Sequence, residues 1–174
     1  MTAWFTGRGD GGKTILPSAG ETWKDDPLLE ALGDLDELNA AIGLASSIYQ
    51  ELSEELSKVQ AHIFEISSEI AGFPQGFNDE KVSEIERLLN KYSSGLPVLR
   101  NFVLPSGHLG ATALHLARAI CRRAERRTVS LLKLGRCSPL HVKYLNRLSS
   151  LLFVLALWIN YQRGIEERVW RGRK

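Results

Sequence analysis

Apolar residues recur at three- and four-residue steps through most of this chain, and each run is closed by Gly, Pro or a short polar residue. That pattern is the signature of amphipathic helices. The longest run covers residues 106–134, with Leu114, Ala117, Ile120, Cys121, Ala124, Leu131 and Leu132 on one stripe. It holds no proline, its glycines fall in the first turn, and Gly135 follows as a stop. Another helix is predicted from Asp25 or Asp26 as cap, with Pro27 at the first helical position, to about Tyr49. Its core face is Leu28, Leu32, Leu35, Leu38, Ile42 and Ala45. Residues 51–71 carry Leu52, Leu56, Val59, Ile63, Ile66 and Ile70, and Gly72, Pro74 and Gly76 end them. A helix starting at Asn78 or Asp79 carries Val82, Ile85, Leu88, Leu89 and Tyr92 before Gly95 and Pro97. The last takes Ser138 as cap and Pro139 as its first residue, with Leu145, Leu148, Leu151, Leu152, Leu155, Trp158 and Ile159 as its face, and ends near Gly164. Five helices with short connections and no required strand predict an all-α, antiparallel five-helix bundle.

The segments outside these helices carry most of the candidate chemistry. Residues 1–24 are rich in Gly and Thr without a sustained period and read as a flexible arm preceding a single bundle domain, residues 25–174. Within the arm, Gly7, Gly12, Lys13 and Thr14 satisfy the phosphate-binding pattern G-x-x-x-x-G-K-T. Six residues before Gly7 are too few for a buried parallel strand, and Pro17 comes too soon for a long helix, which argues against a P-loop NTPase. The local chemistry survives: threonine hydroxyls, Arg8 and Lys13 in a glycine-rich loop suit a triphosphate, the alternative being a disordered tail. The apolar connection NFVLPSG, residues 101–107, either closes the bundle or presents Phe102 at a pocket. The tail EERVWRGRK either frays or packs on a neighbour.

Composition narrows the class. With 174 residues, 44% hydrophobic and 24% charged, the chain suits one domain with a real core. Its net charge of +2 hides an asymmetry: residues 1–100 hold 8 basic against 17 acidic side chains, residues 101–174 hold 14 against 3. The halves, −9 and +11, should attract each other, which weakens the field a nucleic-acid binder would use. No export signal is visible, and the most apolar run, residues 148–159, is shorter than the ~20 residues a membrane span needs. Cys121 and Cys137 lack CxxC spacing and are expected as reduced thiols of a cytoplasmic protein. His62, His108, His115 and His141 form no metal-binding pair, which removes a ferritin-like di-iron reading, and no nucleophile triad is apparent.

What remains is suited to anions. On the long helix Arg118, Arg122 and Glu125 follow the i, i+4, i+7 rule, and Arg123, Arg126 and Arg127 stand beside them. Such an excess faces either ordinary solvent or carboxylates and phosphates. On the first helix Asp36, Asn39 and Gly43 share a stripe, offering a carboxylate and an amide or simply a solvated surface. Asn146 and Arg147 interrupt the last apolar run, the amide serving as a bundle hydrogen bond or a ligand contact.

Taken in order, TGRGDGGKT at 6–14, GDLDELN at 33–39, NFVLPSG at 101–107, LARAICRRAER at 116–126 and YLNRLSSLLFVLA at 144–156 resemble the PduO-type ATP:cob(I)alamin adenosyltransferases over nearly the whole chain. The resemblance implies a homotrimer of five-helix bundles with ATP and corrinoid bound between adjacent subunits. It implies that Thr6, Gly7, Arg8, Gly9, Asp10, Gly12, Lys13 and Thr14, with Lys24, form an ATP-binding segment closing over the triphosphate. Arg122, Glu125, Arg126 and Asn146 match further ATP contacts, and Asp36 and Arg118 match a salt bridge between subunits. Phe102 matches the aromatic that fills the lower side of cobalt, displacing a ligand.

The implied reaction transfers the 5′-deoxyadenosyl group of ATP to cob(I)alamin and releases triphosphate. Because Co(I) is itself a strong nucleophile, the protein need only align it and stabilise the leaving triphosphate, with Phe102 and Arg122 as the catalytic residues. Mg²⁺ is expected to arrive with ATP rather than on a site of the protein. A Co(II) reductase or an adenosylcobalamin-dependent mutase is the protein partner such chemistry suggests; neither nucleic acid nor membrane is expected. The arm departs from the family's T-R-T-G-D-K-G-x-T: Arg8 takes the second Thr position, Gly11 replaces Lys, and Lys13 carries the charge two residues on. The competing reading is an ATP-binding regulatory or structural bundle without transferase activity.

Overall fold

A computed structural model describes residues 5–171. The five predicted helices are present: α1 (Pro27–Ile48), α2 (Ser53–Ala71), α3 (Asp79–Ser93), α4 (Leu109–Lys133) and α5 (Pro139–Gln162). One 3₁₀ turn, Gln50–Leu52, joins α1 to α2, so the second helix starts later than its apolar pattern implied. The helix ends follow local chemistry. Asp26 accepts from the N–H of Leu28 at 2.8 Å, Asn78 from Glu80 at 3.1 Å and Ser138 from Leu140 at 3.2 Å. At the C-terminus of α4, Gly135 sits at φ +69, with its N–H on Leu132 O and that of Arg136 on Leu131 O. This is a Schellman closure, and its left-handed turn suits glycine.

Contacts run α2–α1–α4–α5–α3, so α1, α4 and α5 form the middle of the bundle. Leu35, Leu38, Ile42, Leu114, Cys121, Leu145, Leu148 and Leu152 are buried there. Leu32, Leu88, Leu89 and Trp158, predicted as core, lie at its half-buried margin. The 24-residue α5 is, by length and composition, long and apolar enough to cross a membrane, contrary to the shorter apolar run that the sequence suggested. Just over half of its most apolar window is buried inside the bundle, where it packs on α3 and α4.

The expected attraction between the acidic and basic halves is visible as ion pairs. Arg123 meets Asp34, Arg127 meets Glu30, Arg136 meets Asp26, Arg147 meets Glu86 and Arg163 meets Glu51. Each joins a basic residue of the second half to an acid of the first.

The arm needs a correction. It holds an antiparallel hairpin, β1 (Lys13–Leu16) and β2 (Gly20–Trp23), with Thr14 opposite Thr22. Alternation over four residues is too short to stand out from a loop in the sequence. The hairpin turn docks on the end of α2, where Ser18 N–H donates to Ala71 O at 3.1 Å. A Cβ at Gly72 would stand 2.6 Å from Ser18 N, so glycine lets the two backbones meet.

Candidate functional site

The arginines of α4 fall into two groups. Arg123 Nε donates to Asp34 Oδ1 at 3.0 Å and its Nη2 donates to Glu37, while Arg127 Nη2 donates to Glu30 at 3.2 Å. These two are occupied by α1. Arg118, Arg122 and Arg126, four residues apart along the helix, have no carboxylate partner among the described residues. Arg122 and Arg126 are exposed. Arg118 is half-buried, its guanidinium 5.8 Å above the ring of Phe153 and its Nε without a hydrogen-bond partner among the described residues. Like charges at i, i+4 repel, so such a row is stabilised by an anion. The sequence had placed Arg126 beside Arg123 and Arg127; the fold puts it in the unpaired row.

Glu125 and Asn146 are brought together. Asn146 Nδ2 donates to Glu125 Oε1 at 3.0 Å, and Asn146 Oδ1 accepts from Arg147 Nη1 at 3.0 Å. Arg147 Nε in turn donates to Glu86 Oε1 at 3.0 Å. The amide is exposed, so it links α4 and α5 at the surface rather than inside the core. Glu125 is held within one turn of Arg122 with its orientation fixed.

On the arm, Thr6, Arg8, Gly9, Lys13, Thr14, Ile15 and Glu21 line a cavity of about 520 Å³. Lys24 Nζ donates to Gly9 O at 2.8 Å, which ties the loop to the end of β2. Lys13 pairs with Glu21 at 2.8 Å and lies 5.2 Å from the Trp23 ring. Gly7 and Gly12 adopt φ of +70 and +78, and the chain turns at each. Lys13 and Thr14 open a strand rather than a helix, so the G-x-x-x-x-G-K-T match builds no P-loop. Asp10 is exposed, with its N–H on Gly7 O at 3.1 Å.

Phe102 is 80% exposed, so the connection does present its ring rather than bury it. Its O accepts from Trp170 N–H at 2.8 Å, and Leu104 N–H donates to Arg168 O at 2.8 Å, a one-residue bridge centred on Val103 and Val169. Over residues 168–170 the tail is therefore bridged to the connection rather than frayed, with the Trp170 side chain exposed. Phe102 stands at the end of the bundle where Tyr49, His108, Trp158 and Tyr92 meet. The arm stands at the other end, where Arg136 meets Asp26 and Lys143 meets Asp79. α1, 22 residues long and about 33 Å at 1.5 Å per residue, separates them. Within one chain, Phe102 and the arm are apart.

Asp36 is exposed, and no ion pair joins it to Arg118 within the chain. Asn39, expected beside it, is instead buried and bridges to α2, with Gln60 Nε2 donating to Asn39 O at 3.1 Å. The α1 stripe is thus split between surface and core. No three His, Cys, Asp or Glu side chains come together to hold a metal among the described residues. Cys121 is buried, its thiol donating to Leu145 O at 3.3 Å, and burial pushes its pKa far up, so it serves packing.

A profile of cobalamin adenosyltransferases matches residues 4–159. The chain belongs to the cobalamin adenosyltransferase family. Corrinoid adenosyltransferase MMAB of Mus musculus is 38% identical over 182 residues, covering 96% of this chain and 76% of that protein. The corrinoid adenosyltransferase of Bacillus subtilis is 37% identical, covering 92% of this chain and 88% of its own length. A single-substitution variant of the PduO-type ATP:corrinoid adenosyltransferase of Lactobacillus reuteri, complexed with cobalamin and ATP, superposes with a TM-score of 0.92. It shares 29% identity and covers 98% of this chain and 100% of that one. A second variant of that enzyme, complexed with ATP, gives a TM-score of 0.90 at 30% identity, covering 96% of this chain and 99% of its own.

In this cobalamin adenosyltransferase, sequence reasoning missed the residues that hold the Phe102 connection. Asn160, 1% exposed, is bonded to that connection and to the tail. Its only signal in the sequence is an amide between Ile159 and Tyr161 at the end of an apolar helix.

Proposed function

We infer that this protein transfers the 5′-deoxyadenosyl group of ATP to the cobalt of a reduced corrinoid, forming adenosylcobalamin and releasing triphosphate. The observation that carries this reading is the arginine row Arg118, Arg122 and Arg126, unpaired among the described residues and flanked by the Glu125–Asn146 hydrogen bond. It lies on a fold shared with enzymes solved in complex with cobalamin and ATP.

The chemistry asks little of the protein beyond placement. The lone pair of Co(I) forms the Co–C bond at C5′ while the C5′–O bond breaks and its electrons leave on the triphosphate. Arg122 and the arm, Thr6, Arg8, Lys13, Thr14 and Lys24, bear the charge of that leaving group. Lys13 exchanges Glu21 for phosphate when ATP enters. Mg²⁺ is carried by the phosphates of ATP. The exposed ring of Phe102 occupies the lower side of cobalt, where an apolar group excludes water and a coordinating base.

A second copy completes the site. Phe102 and the arm lie at opposite ends of one bundle, and neither Asp36 nor Arg118 has an ion-pair partner among the described residues, which supports partners supplied by a neighbouring chain in a homotrimer. The arm of one copy then closes on ATP held by α4 of the next.

Incubating the protein with ATP and chemically reduced cob(I)alamin tests the reading. The visible spectrum should pass to that of a Co–C product that light destroys, with one triphosphate released per turnover. A folded protein that binds ATP and leaves the spectrum unchanged would return the chain to the regulatory reading.

A further inference from the structure

The connection that carries Phe102 has little hydrophobic anchorage of its own: Phe102 is 80% exposed, and Leu104 and Leu99 are partly exposed as well. What holds its far end is one side chain of α5. Asn160 Oδ1 accepts from His108 N–H at 3.0 Å, and Asn160 Nδ2 donates to Ser106 O at 3.1 Å and to Glu167 Oε1 at 3.0 Å. One buried amide thus reaches the connection twice and the tail once. The backbone is shaped to receive it. Gly107 adopts φ +99, and a Cβ there would stand 2.3 Å from Asn160 Oδ1, so any larger residue would displace the amide. The turn after α5 adds to the grip, with Ile165 N–H on Asn160 O at 2.9 Å and Gly164 at φ +63.

Beyond Glu167 the tail pairs with the connection at the residue of interest. Trp170 N–H donates to Phe102 O, and Leu104 N–H to Arg168 O, each at 2.8 Å. Both sides of the bridge, residues 102–104 and 168–170, are anchored through the same amide, one by Ser106 and His108, the other by Glu167. The hydrogen bonds of a buried amide cannot be replaced by water, so losing one frees a segment rather than exchanging a partner.

We propose that Asn160 is a positioning residue for the transfer reaction: together with Glu167 and residues 168–170 it forms a clasp that sets the backbone of Phe102, and so the height of its ring. The inference rests on the reading of Phe102 given above. A ring displaced by about 1 Å no longer covers one side of the metal, and such misplacement costs on the order of 10²-fold in rate.

The test compares Asn160→Ala, Asn160→Asp and a chain ended at Glu167 with Phe102→Ala, all as full assemblies. Asn160→Asp keeps the shape and one acceptor but removes both donors, and the truncation spares the core, so the comparison survives a poorly folding Asn160→Ala. Amide hydrogen exchange at Leu104 is the direct readout; in the full-length variants Trp170 is read as well. The clasp variants should speed exchange at these amides, leave ATP affinity unchanged and lower kcat with cob(II)alamin plus reductant about 10²-fold. Unaltered exchange, or unaltered kcat in all three clasp variants while Phe102→Ala is deficient, overturns the clasp. Full kcat in Phe102→Ala overturns the reading of Phe102 and with it the catalytic consequence, a result separable from clasp failure because the exchange readout does not depend on turnover.

Discussion

Arg122 and Arg123 are adjacent on α4 and have opposite fates: Arg123 meets Asp34 at 3.0 Å, whereas Arg122, turned about 100° around the helix, meets no carboxylate among the described residues. One side chain secures α4 to α1, and the other is the one that the proposed function assigns to the triphosphate. Replacing each by alanine should separate the roles. Arg122→Ala should lower kcat about 10²-fold or more with little change in melting temperature. Arg123→Ala should cost about 1 kcal/mol of stability or less, since the pair is partly exposed, and keep kcat within a few-fold. Steady-state kinetics and thermal melts on the same preparations check this, and equal kcat losses would contradict the division.

The Glu125 carboxylate depends on the amide of Asn146, 3.0 Å away. Hydrogen bonds to charged groups contribute about 1.5–3 kcal/mol, so Asn146→Ala should weaken ATP binding roughly tenfold. Asn146→Asp should do worse, because two carboxylates would then face each other. Titration of ATP followed by calorimetry measures both, and an unchanged affinity would remove Asn146 from the nucleotide site.

Assembly is open to a charge exchange. In the proposed homotrimer Asp36→Arg would set like charges against Arg118 of a neighbouring chain and should dissociate the assembly, whereas Asp36→Arg with Arg118→Asp should restore it. Sedimentation velocity reads the result directly. A trimer that persists in the single variant would show that these residues do not meet across the interface.

Three histidines predict how stability varies with pH. Burial lowers the pKa of His62, His115 and His141 from the ordinary 6.5, with Lys81 adding to the effect at His62, Arg118 at His115, and Glu69 opposing it at His141. Below 6.5 the unfolded chain therefore takes up protons that the folded chain refuses, so stability falls as the pH drops through that value and is fully present above it. Urea unfolding at several pH values from neutral to mildly acidic should show the decline. His115→Gln should flatten part of it, because His115 is 3% exposed and neither ring nitrogen has a hydrogen-bond partner among the described residues. A stability that stays level over that range would count against the burial argument.

The helices were readable because they are local. Asp26 and Pro27, Ser138 and Pro139, and the glycine after α4 mark ends by backbone chemistry that acts within a few residues. The buried faces of α1, α2 and α5 follow from spacing alone, and the ordered motifs were enough to indicate the family. The hairpin was not readable, because four-residue strands carry too little pattern and this one is held by a contact with Ala71 far along the chain.

Sequence by itself determined five amphipathic helices, an acidic half and a basic half drawn together, and an arginine excess with two possible fates. Only the tertiary structure decided which arginines were already satisfied: spacing places Arg123 and Arg127 on a stripe, but whether Asp34 and Glu30 face them depends on how α1 packs against α4. The same holds for Asn160, which meets Ser106, 54 residues earlier in the chain. Hydrogen bonds and ion pairs act over a few ångströms of space, and distance along the chain does not specify them.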